Sequence, residues 1–325
     1  MSRHSAGADA GPLLRRFASL SVVPRVALGN FPTPVEPLTA VSPSLWIKRD
    51  DLGATPFGGN KLRALEFLLA GVRPGDRVVT VGSAGSTHAL AVATYAAALG
   101  AQTVVGRWRQ EMNETAARVA ARIERVADET RLFAVPPAAY LWAWRRTRGA
   151  MWIAAGGSTP LGILGHVNAG LELVEQIQSN VMPAPSSVVV PLGTGGTAAG
   201  LALAFAIAGL DIRVVGVRVV PRIVGRRGRV LRLARQASAL IERTTRAELP
   251  SVRRDAVEVV HEAYGGAYGR ETPMARAASA RLADATGVRL DATYSAKAFE
   301  VALRLASREP VLFWLTFDAR LLDPT

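Results

Sequence analysis

The chain has 325 residues, of which 49% are hydrophobic and 20% charged, as in ordinary globular proteins with one large domain or two lobes. It contains no cysteine, which excludes disulfides, thiol nucleophiles and cysteine-ligated metal sites. The net charge of +13 keeps nucleic-acid binding open as an alternative, although the basic stretches are scattered and contain no recognition motif. The first residues lack the sustained apolar core of a secretory signal, so we expect a cytoplasmic protein.

Lysine is rare in this basic chain, which contains only Lys48, Lys61 and Lys297. The guanidinium of arginine stays protonated at neutral pH and cannot serve as an imine-forming amine. Any covalent chemistry through a side-chain amine therefore falls to one of these three residues.

The apolar pattern alternates strands and helices along the chain. In the first third it predicts strands at 45–51, 76–83 and 101–108, and helices at 61–72 and 86–100. Residues 110–150 are predicted to be helical, and two further units of strand, glycine loop and helix begin at Met151 and Ser186. This order predicts an α/β fold in which helices cover parallel sheets.

Residues 188–210 carry no charge over a length that could span a membrane. Pro191 and the glycines that follow it would break a single helix, and the β-branched run before them prefers a strand. We therefore expect a buried strand, a loop and a helix here, and no membrane span.

Lys61 follows a glycine pair and Asn60, which is a good helix N-cap residue. This places Lys61 in the first turn of a helix, where the helix dipole lowers the lysine pKa and favours the neutral amine. A neutral amine can form an imine. A surface lysine at a helix start is the alternative for this stretch taken alone.

A second glycine-rich loop joins a hydrophobic strand to a helix and is predicted to bind a phosphate through backbone N–H groups and hydroxyls. It consists of Gly193, Thr194, Gly195, Gly196 and Thr197. A tight turn or a nicotinamide dinucleotide site are the alternatives. The dinucleotide fingerprint requires an acidic residue on the next strand, where this chain has Arg213 and Arg218.

Ser86, Thr87 and His88 lie between a predicted strand and a helix, where helix N–H groups and hydroxyls suit a substrate carboxylate. Ser86 could also relay a proton. An ordinary serine N-cap with a buried histidine behind it is the alternative. The four histidines show no metal-ligand spacing, so we expect no metal site.

Eight sequence blocks occur in a fixed order: PTPVEPL, LWIKRDDL, FGGNKLRALEFLLA, GSTHA, GGSTPLGILGHVNAGLEL, GTGGTAAGLALA, YGGAYGRETP and LDATYSAKA. In this order they resemble the fold-type II pyridoxal-phosphate (PLP) enzymes, specifically the family of 1-aminocyclopropane-1-carboxylate deaminase and D-cysteine desulfhydrase. The resemblance covers residues 29–100, 153–218 and 260–316.

The resemblance implies a two-lobed α/β fold similar to tryptophan synthase β, with parallel and mixed sheets covered by helices. Residues 1–55 and 155–325 would form a discontinuous large PLP-binding domain, and residues 56–154 a small inserted domain. The active site would lie in the cleft between them. Relatives suggest a homodimer that acts on a small amino acid, with no nucleic-acid or membrane partner.

The resemblance also implies a role for each candidate residue. Lys61 would bind PLP covalently and then abstract the substrate Cα proton, with Ser86, Tyr268 and Tyr294 as candidate proton relays. The residues expected to bind the substrate are Ser86, Thr87, His88, Tyr268 and Tyr294. The remaining cofactor contacts would come from Asn60, Thr87, Gly193, Thr194, Gly195, Gly196, Thr197, Ser295 and Thr316.

Ser295 occupies the position associated with the pyridine nitrogen of PLP. A carboxylate there keeps the nitrogen protonated and the ring a strong electron sink, whereas a hydroxyl tolerates a neutral ring. The cyclopropane deaminases resemble each other in having an acid at this position, so Ser295 and Thr316 favour a D-cysteine desulfhydrase-like β-elimination. Cyclopropane ring opening and a biosynthetic β-replacement are the alternatives.

Three departures from the family pattern bear on the substrate. Thr87 stands where the family has an asparagine, and Phe317 and Asp318 replace two glycines beside the cofactor. Residues 105–150 also match the family poorly. We expect these differences to affect the substrate more than the cofactor.

Overall fold

The structure, a computed structural model, describes residues 11–322. Residues 1–10 lie outside the described residues. They include His4 and the beginning of the N-terminal stretch from which a cytoplasmic location is predicted. The α-helices are α1 (Pro12–Arg16), α2 (Asn60–Leu68), α3 (Thr87–Ala98), α4 (Glu114–Val126), α5 (Pro136–Trp144), α6 (Pro160–Gln178), α7 (Gly196–Ala208), α8 (Arg227–Thr245), α9 (Pro273–Thr286) and α10 (Ser295–Leu305). The strands are β1 (Val35–Pro37), β2 (Leu45–Arg49), β3 (Arg77–Ser83), β4 (Gln102–Trp108), β5 (Glu129–Phe133), β6 (Met151–Ile153), β7 (Ser187–Leu192), β8 (Arg213–Arg218), β9 (Val257–Val260) and β10 (Val311–Leu315).

Two sheets organise the fold. The larger has the strand order β1-β2-β10-β7-β8-β9, and only the β1–β2 pair in it is antiparallel. The smaller has the order β5-β4-β3-β6 with all pairs parallel. The predicted α/β class with parallel and mixed sheets is confirmed. The smaller sheet is built from residues 77–153, but the exact domain boundaries after residues 55 and 154 stay a prediction.

Side chains of the larger sheet alternate between two apolar cores because successive strand residues point to opposite faces. On β10, Leu312 and Trp314 pack in the core that contains α6 and α7 residues. Phe313 and Leu315 pack in the other core, which contains Phe299 of α10. Covering both faces with helices buries a central strand that reads as a continuous apolar run.

The uncharged stretch forms β7, the glycine loop and α7, as predicted. Within residues 11–322, none of the helices has the length and apolar character needed to cross a membrane. The prediction of helix throughout 110–150 is wrong, because β5 interrupts it. This strand lies at the sheet edge and is half exposed, so its sequence, ETRLF, lacks the apolar run that marks the inner strands.

A buried cluster of charged residues joins α2 to the larger sheet. The guanidinium of Arg63 donates to both carboxylate oxygens of Asp50, which follows β2, at 2.6 and 2.9 Å. It also donates to both oxygens of Glu172 on α6, at 2.8 and 3.0 Å. The Lys48 amine completes the cluster by donating to Glu172 at 2.5 Å. Each of these four side chains is at most 3% exposed.

The charges in this cluster determine how its members titrate. Burial alone would raise the pKa of the Glu172 carboxyl, but Arg63 and Lys48 outweigh burial and lower that pKa to about 2. Burial lowers the pKa of the Lys48 amine to about 8 against the attraction of Glu172. Glu172 is therefore an anion at neutral pH, held by two cations.

The backbones of α2 and α6 also approach each other closely at this cluster. A Cβ placed on Gly165 of α6 would lie 1.7 Å from the carbonyl oxygen of Arg63. Only a glycine at this position allows the two helices to pack at the distance that the ion cluster requires. The close packing at Gly165 and the ion cluster therefore both fix the position of α2 relative to α6.

Replacing one anion of the cluster should weaken the fold strongly. We expect Glu172→Gln to lower the free energy of unfolding by about 3–5 kcal/mol, because it leaves buried cations short of countercharge. Urea denaturation followed by circular dichroism measures the change. Glu175→Gln on the same helix is the control, since it alters a half-exposed pair with Arg15 and should cost about 1 kcal/mol or less. Equal losses in both variants would contradict a special role for the cluster.

The stability should also depend on pH through this carboxylate. Because the folded-state pKa of Glu172 lies near 2 and below its ordinary value of 4.5, its contribution is full above pH 4.5. It is lost as the pH falls from 4.5 towards 2. Across that interval the wild-type protein should lose more stability than Glu172→Gln, which urea denaturation at a series of pH values would measure.

Candidate active site

A cavity of 590 Å³ opens at the carboxyl ends of strands from both sheets. Ligands of open α/β sheets bind at this edge. Most of the candidate residues line the cavity: Asn60, Lys61, Ser86, Thr87, His88, Gly193, Thr194, Gly195, Gly196, Thr197, Tyr268, Tyr294 and Thr316. Ser295 does not line it and follows Tyr294 in the chain.

The helix that carries Lys61 begins differently from the prediction. Gly59 is the N-cap residue and Asn60 is the first helical residue, so the predicted N-cap role of Asn60 is wrong. The Asn60 amide instead donates to the Thr197 hydroxyl at 2.7 Å and links α2 to the glycine loop. Gly59 has a φ of +130°, and a Cβ there would lie 2.7 Å from the carbonyl oxygen of Thr316.

Burial lowers the pKa of Lys61 to about 8, which is the expected direction. Removal from water is the cause, whereas the sequence pointed to the helix dipole. With this pKa roughly one amine in ten is neutral at pH 7, compared with about one in three thousand at the ordinary pKa. Lys61 therefore has a usable fraction of nucleophilic amine at neutral pH.

The glycine loop joins β7 to α7, and Gly195, with a φ of +95°, is the N-cap of that helix. A Cβ on Gly193 would meet no atom within 4 Å, so the backbone presents an open face there. The hydroxyls of Thr194 and Ser158 are hydrogen-bonded at 2.6 Å. The carbonyl of Thr194 accepts a hydrogen bond from Arg229 at 2.9 Å. These groups and the first N–H groups of α7 form a cradle suited to a phosphate.

The N-terminus of α3 faces the same cavity. Ser86 is its N-cap and accepts a hydrogen bond from the Ala89 N–H at 3.2 Å, which leaves the serine hydroxyl able to donate. Burial and the nearby Lys61 charge lower the pKa of His88 to about 3. His88 is therefore neutral at physiological pH, and this part of the site offers dipoles and hydroxyls.

Two tyrosines meet at the cavity wall. The hydroxyls of Tyr268 and Tyr294 are in hydrogen-bond contact, and their rings are arranged edge to face with centroids 6.0 Å apart. Burial raises the pKa of both phenols, so both hold their protons at neutral pH. Ser83, at the end of β3, donates to Tyr268 at 3.3 Å.

Ser295 begins α10 and is fully buried. Its hydroxyl makes no hydrogen bond of normal geometry with the described residues, although it lies close enough to the Asp291 carboxylate to oppose the rise that burial causes in the pKa of that carboxyl. The neighbouring Asp291 carboxylate accepts from the N–H groups of Tyr294 and Ser295 at 2.7 and 3.0 Å. The helix start is therefore held rigidly while the serine hydroxyl is left without a hydrogen bond of normal geometry.

The altered loop after β10 packs against the start of α2. Phe317 is 4% exposed, packs in the apolar core beside the smaller sheet and also lines the cavity. Asp318 forms a bidentate ion pair with Arg320 at 2.8 Å. The N–H of Asn60 donates to the Thr316 carbonyl at 3.1 Å, so this loop supports the residue beside Lys61.

The cavity fits PLP at two polar points, because the glycine cradle suits the phosphate and the Lys61 amine suits the aldehyde. Ser295 lies outside the cavity lining, so its contact with the ring nitrogen stays a prediction. Among residues 11–322, no group of three or more histidine, aspartate or glutamate side chains is arranged to hold a metal ion.

The model of the family described as pyridoxal-phosphate dependent enzyme matches residues 26–316. The chain belongs to this family. The predicted family, the cofactor PLP and an enzymatic activity are thereby confirmed, and the relatives indicate a lyase or deaminase.

Three curated relatives have similar identities to this chain. Nocardicin C-9' epimerase of Nocardia uniformis subsp. tsuyamanensis is 34% identical, over 93% of this chain and 94% of the relative. A putative 1-aminocyclopropane-1-carboxylate deaminase of Pyrococcus horikoshii is 33% identical, over 91% and 92%. D-cysteine desulfhydrase of Salmonella typhi is 31% identical, over 86% and 87%.

Solved structures agree with the fold. An ACC deaminase homologue superposes with a TM-score of 0.78 at 28% identity, covering 94% of both chains. O-ureido-L-serine synthase superposes with a TM-score of 0.64 at 19% identity, covering 94% of this chain and 93% of the other. The predicted fold-type II architecture is confirmed.

Sequence reasoning missed several residues that line or support the cavity. Ser83 ends a predicted strand and Ser158 belongs to one of the eight family sequence blocks, so their positions near the site were predictable from the sequence. Trp108 and Tyr140 also line the cavity. Their region matched the family poorly, and no local signal shows that a strand end and a helix meet there.

The pKa of Lys61 should control the loading of the apoenzyme. We expect the rate of covalent attachment of PLP, trapped with borohydride, to rise with pH with a midpoint near 8 and to level off above it. Peptide mass spectrometry measures the modified fraction at each pH. The fully buried Lys297 serves as an internal control and should stay unmodified. A rate that still climbs at the ordinary lysine pKa of 10.5 would contradict the assignment.

Proposed function

We propose that this protein catalyses a D-cysteine desulfhydrase-like β-elimination on a small amino acid. The Cα–H and Cβ–S bonds break, hydrosulfide leaves with a proton, and water hydrolyses the remaining unit to a keto acid and ammonia. The observation that carries the proposal is the buried Ser295 hydroxyl, which makes no hydrogen bond of normal geometry with the described residues. Ser295 offers the pyridine nitrogen a hydroxyl in place of a carboxylate, which suits a milder electron sink.

Lys61 is the residue that would hold the cofactor and take the substrate proton. Bound in this cavity, PLP supplies a sink for the electron pair left at the substrate Cα. The neutral amine of Lys61, when it is not attached to the cofactor, would accept the substrate Cα proton. The lowered pKa of Lys61 supports this role.

The start of α3 would orient the substrate. The hydroxyls of Ser86 and Thr87 and the first N–H groups of the helix can donate hydrogen bonds to a carboxylate. His88 is neutral behind them, so the carboxylate would be held by dipoles and hydroxyls. Asn60 and Thr197 would fix the phosphate loop relative to Lys61 through their mutual hydrogen bond.

The tyrosine pair would supply the proton for the leaving group. Both phenols are protonated at neutral pH, and their contact lets a proton donated by one be replaced from the other. Ser83 extends the chain of hydroxyls at Tyr268. A homodimer, a cytoplasmic location and the lack of a nucleic-acid partner are further predictions that this proposal retains.

Epimerisation at Cα is a second candidate, favoured by the 34% identity to nocardicin C-9' epimerase over 93% of this chain. It begins with the same proton abstraction but returns a proton to the opposite face and breaks no Cβ bond. Cyclopropane ring opening and β-replacement are also retained as alternatives.

Turnover in deuterated water separates these reactions. The holoenzyme should release a keto acid from D-cysteine or a β-substituted D-alanine, detected with dinitrophenylhydrazine, because a good leaving group lies at Cβ. Deuterium at Cα together with the opposite enantiomer, and without keto acid, would instead favour epimerisation. Lys61→Ala should abolish both signals. A wild-type holoenzyme that gives neither signal with D- and L-substrates would overturn the proposal.

Removing one phenol should slow proton transfer. We expect Tyr294→Phe to reduce kcat for keto acid release about 100-fold with little change in KM, since the ring stays and only the proton donor is lost. Tyr264→Phe is the matched control, because Tyr264 lies outside the cavity lining. A similar kcat for Tyr294→Phe and the wild-type enzyme would remove Tyr294 from the mechanism.

A further inference from the structure

The cavity lining contains more than the candidate residues. It includes the polar residues Arg109, Gln110 and Glu111 and a set of aromatic and aliphatic side chains, here called the apolar part of the cavity: Trp108, Pro136, Tyr140, Pro191, Val220, Pro221 and Val224. None of these apolar side chains has a part in the reaction proposed above.

One wall of this apolar part is a stack of aromatic rings from the smaller sheet and its helix. Trp108 ends β4 and Tyr140 lies on α5, and their rings are nearly parallel at 18° with centroids 5.9 Å apart. Trp152 of β6 packs on Tyr140 at 6.3 Å. Tyr140 and Trp152 remain 40% and 38% exposed. Exposed aromatic rings that continue a catalytic cavity are typical of a ligand subsite.

The other wall comes from the segment that follows β8. Val220, Pro221 and Val224 contribute apolar side chains that also line the cavity. Arg218 holds this segment by donating to the Val220 carbonyl at 2.9 Å, and its guanidinium stacks on the Tyr264 ring at 4.1 Å. The aliphatic wall is therefore anchored to the larger sheet.

Two arginines lie near the aromatic wall. Arg109 lines it directly. Arg229 is close enough to Tyr140 for its charge to oppose the rise in the tyrosine pKa that burial causes. An electron-rich ring suits such a place, because its face attracts nearby cations while its carbon surface stacks on other rings.

We infer that the Trp108–Tyr140 wall is a subsite for an aromatic group at the end of the substrate side chain. This inference rests on the proposed function and refines its substrate class to a β-substituted alanine with an aryl or arylmethyl thioether. For such a substrate the Cα–H and Cβ–S bonds break, and the arylmethyl thiolate leaves and takes a proton. Water then hydrolyses the remainder to pyruvate and ammonia.

S-benzylcysteine and S-methylcysteine, each as D and L forms, are the probes. For a form that is turned over, thiol release gives kcat and KM; for a form that is not, isothermal titration calorimetry on the holoenzyme gives Kd. We expect the better benzyl enantiomer to bind about 10-fold more tightly than its methyl analogue, because ring stacking and apolar burial act together. Equal affinities would overturn the subsite.

Substitutions on α5 test whether Tyr140 causes the preference for the benzyl substrate. Tyr140→Ala should lose the benzyl preference, and Tyr140→Phe should keep it because the ring remains. Trp144→Ala is the matched control, since Trp144 lies on the same helix, is 67% exposed and does not line the cavity. A benzyl preference that survives Tyr140→Ala would overturn the inference, as would a Tyr140→Ala effect confined to the oligomeric state in gel filtration. Tight benzyl binding without thiol release or keto acid would sustain the subsite and count against the elimination.

Discussion

The position of Lys61 depends on the buried contact between Arg63 and two carboxylates. Lys61 and Arg63 are two residues apart on α2, so their side chains point in different directions. Lys61 lines the cavity, whereas Arg63 points towards the larger sheet and contacts Asp50. Asp50 and Glu172 reach Arg63 from a strand end and from α6. A buried guanidinium tolerates little displacement once two carboxylates hold it bidentately. Helix α2 is thereby fixed at its first turn, which carries Lys61.

Acid–base balance in the cavity follows from the same burial. Removal from water lowers the pKa of an amine or imidazole and raises that of a phenol, so every one of these groups moves towards its neutral form. Lys61, His88, Tyr268 and Tyr294 all follow this rule. Burial therefore keeps the phenols and the imidazole neutral at pH 7 and gives Lys61 a larger neutral fraction than an exposed lysine has.

The sequence predicted most of what depends on local pattern. Gly193–Thr197 and Ser86 could be assigned to helix starts because glycine and serine have specific conformational and capping roles. The bond between Asn60 and Thr197 could not be foreseen, since it joins residues far apart in the chain. The strand β5 was missed because an exposed edge strand needs no apolar run, and the stacking of Trp108 on Tyr140 arises only when strand and helix pack.

The burial of the lysines has a practical consequence for labelling the protein. Lys48 and Lys297 have no exposed surface, whereas Lys61 is partly exposed and lines the cavity. Of the three lysines in the chain, Lys61 alone therefore presents accessible side-chain surface. Amine-reactive dyes and coupling resins will therefore find only the chain's α-amino group or the active site. In the role proposed for Lys61 a bound cofactor would protect this amine, and the amount of amine labelling would then report cofactor occupancy.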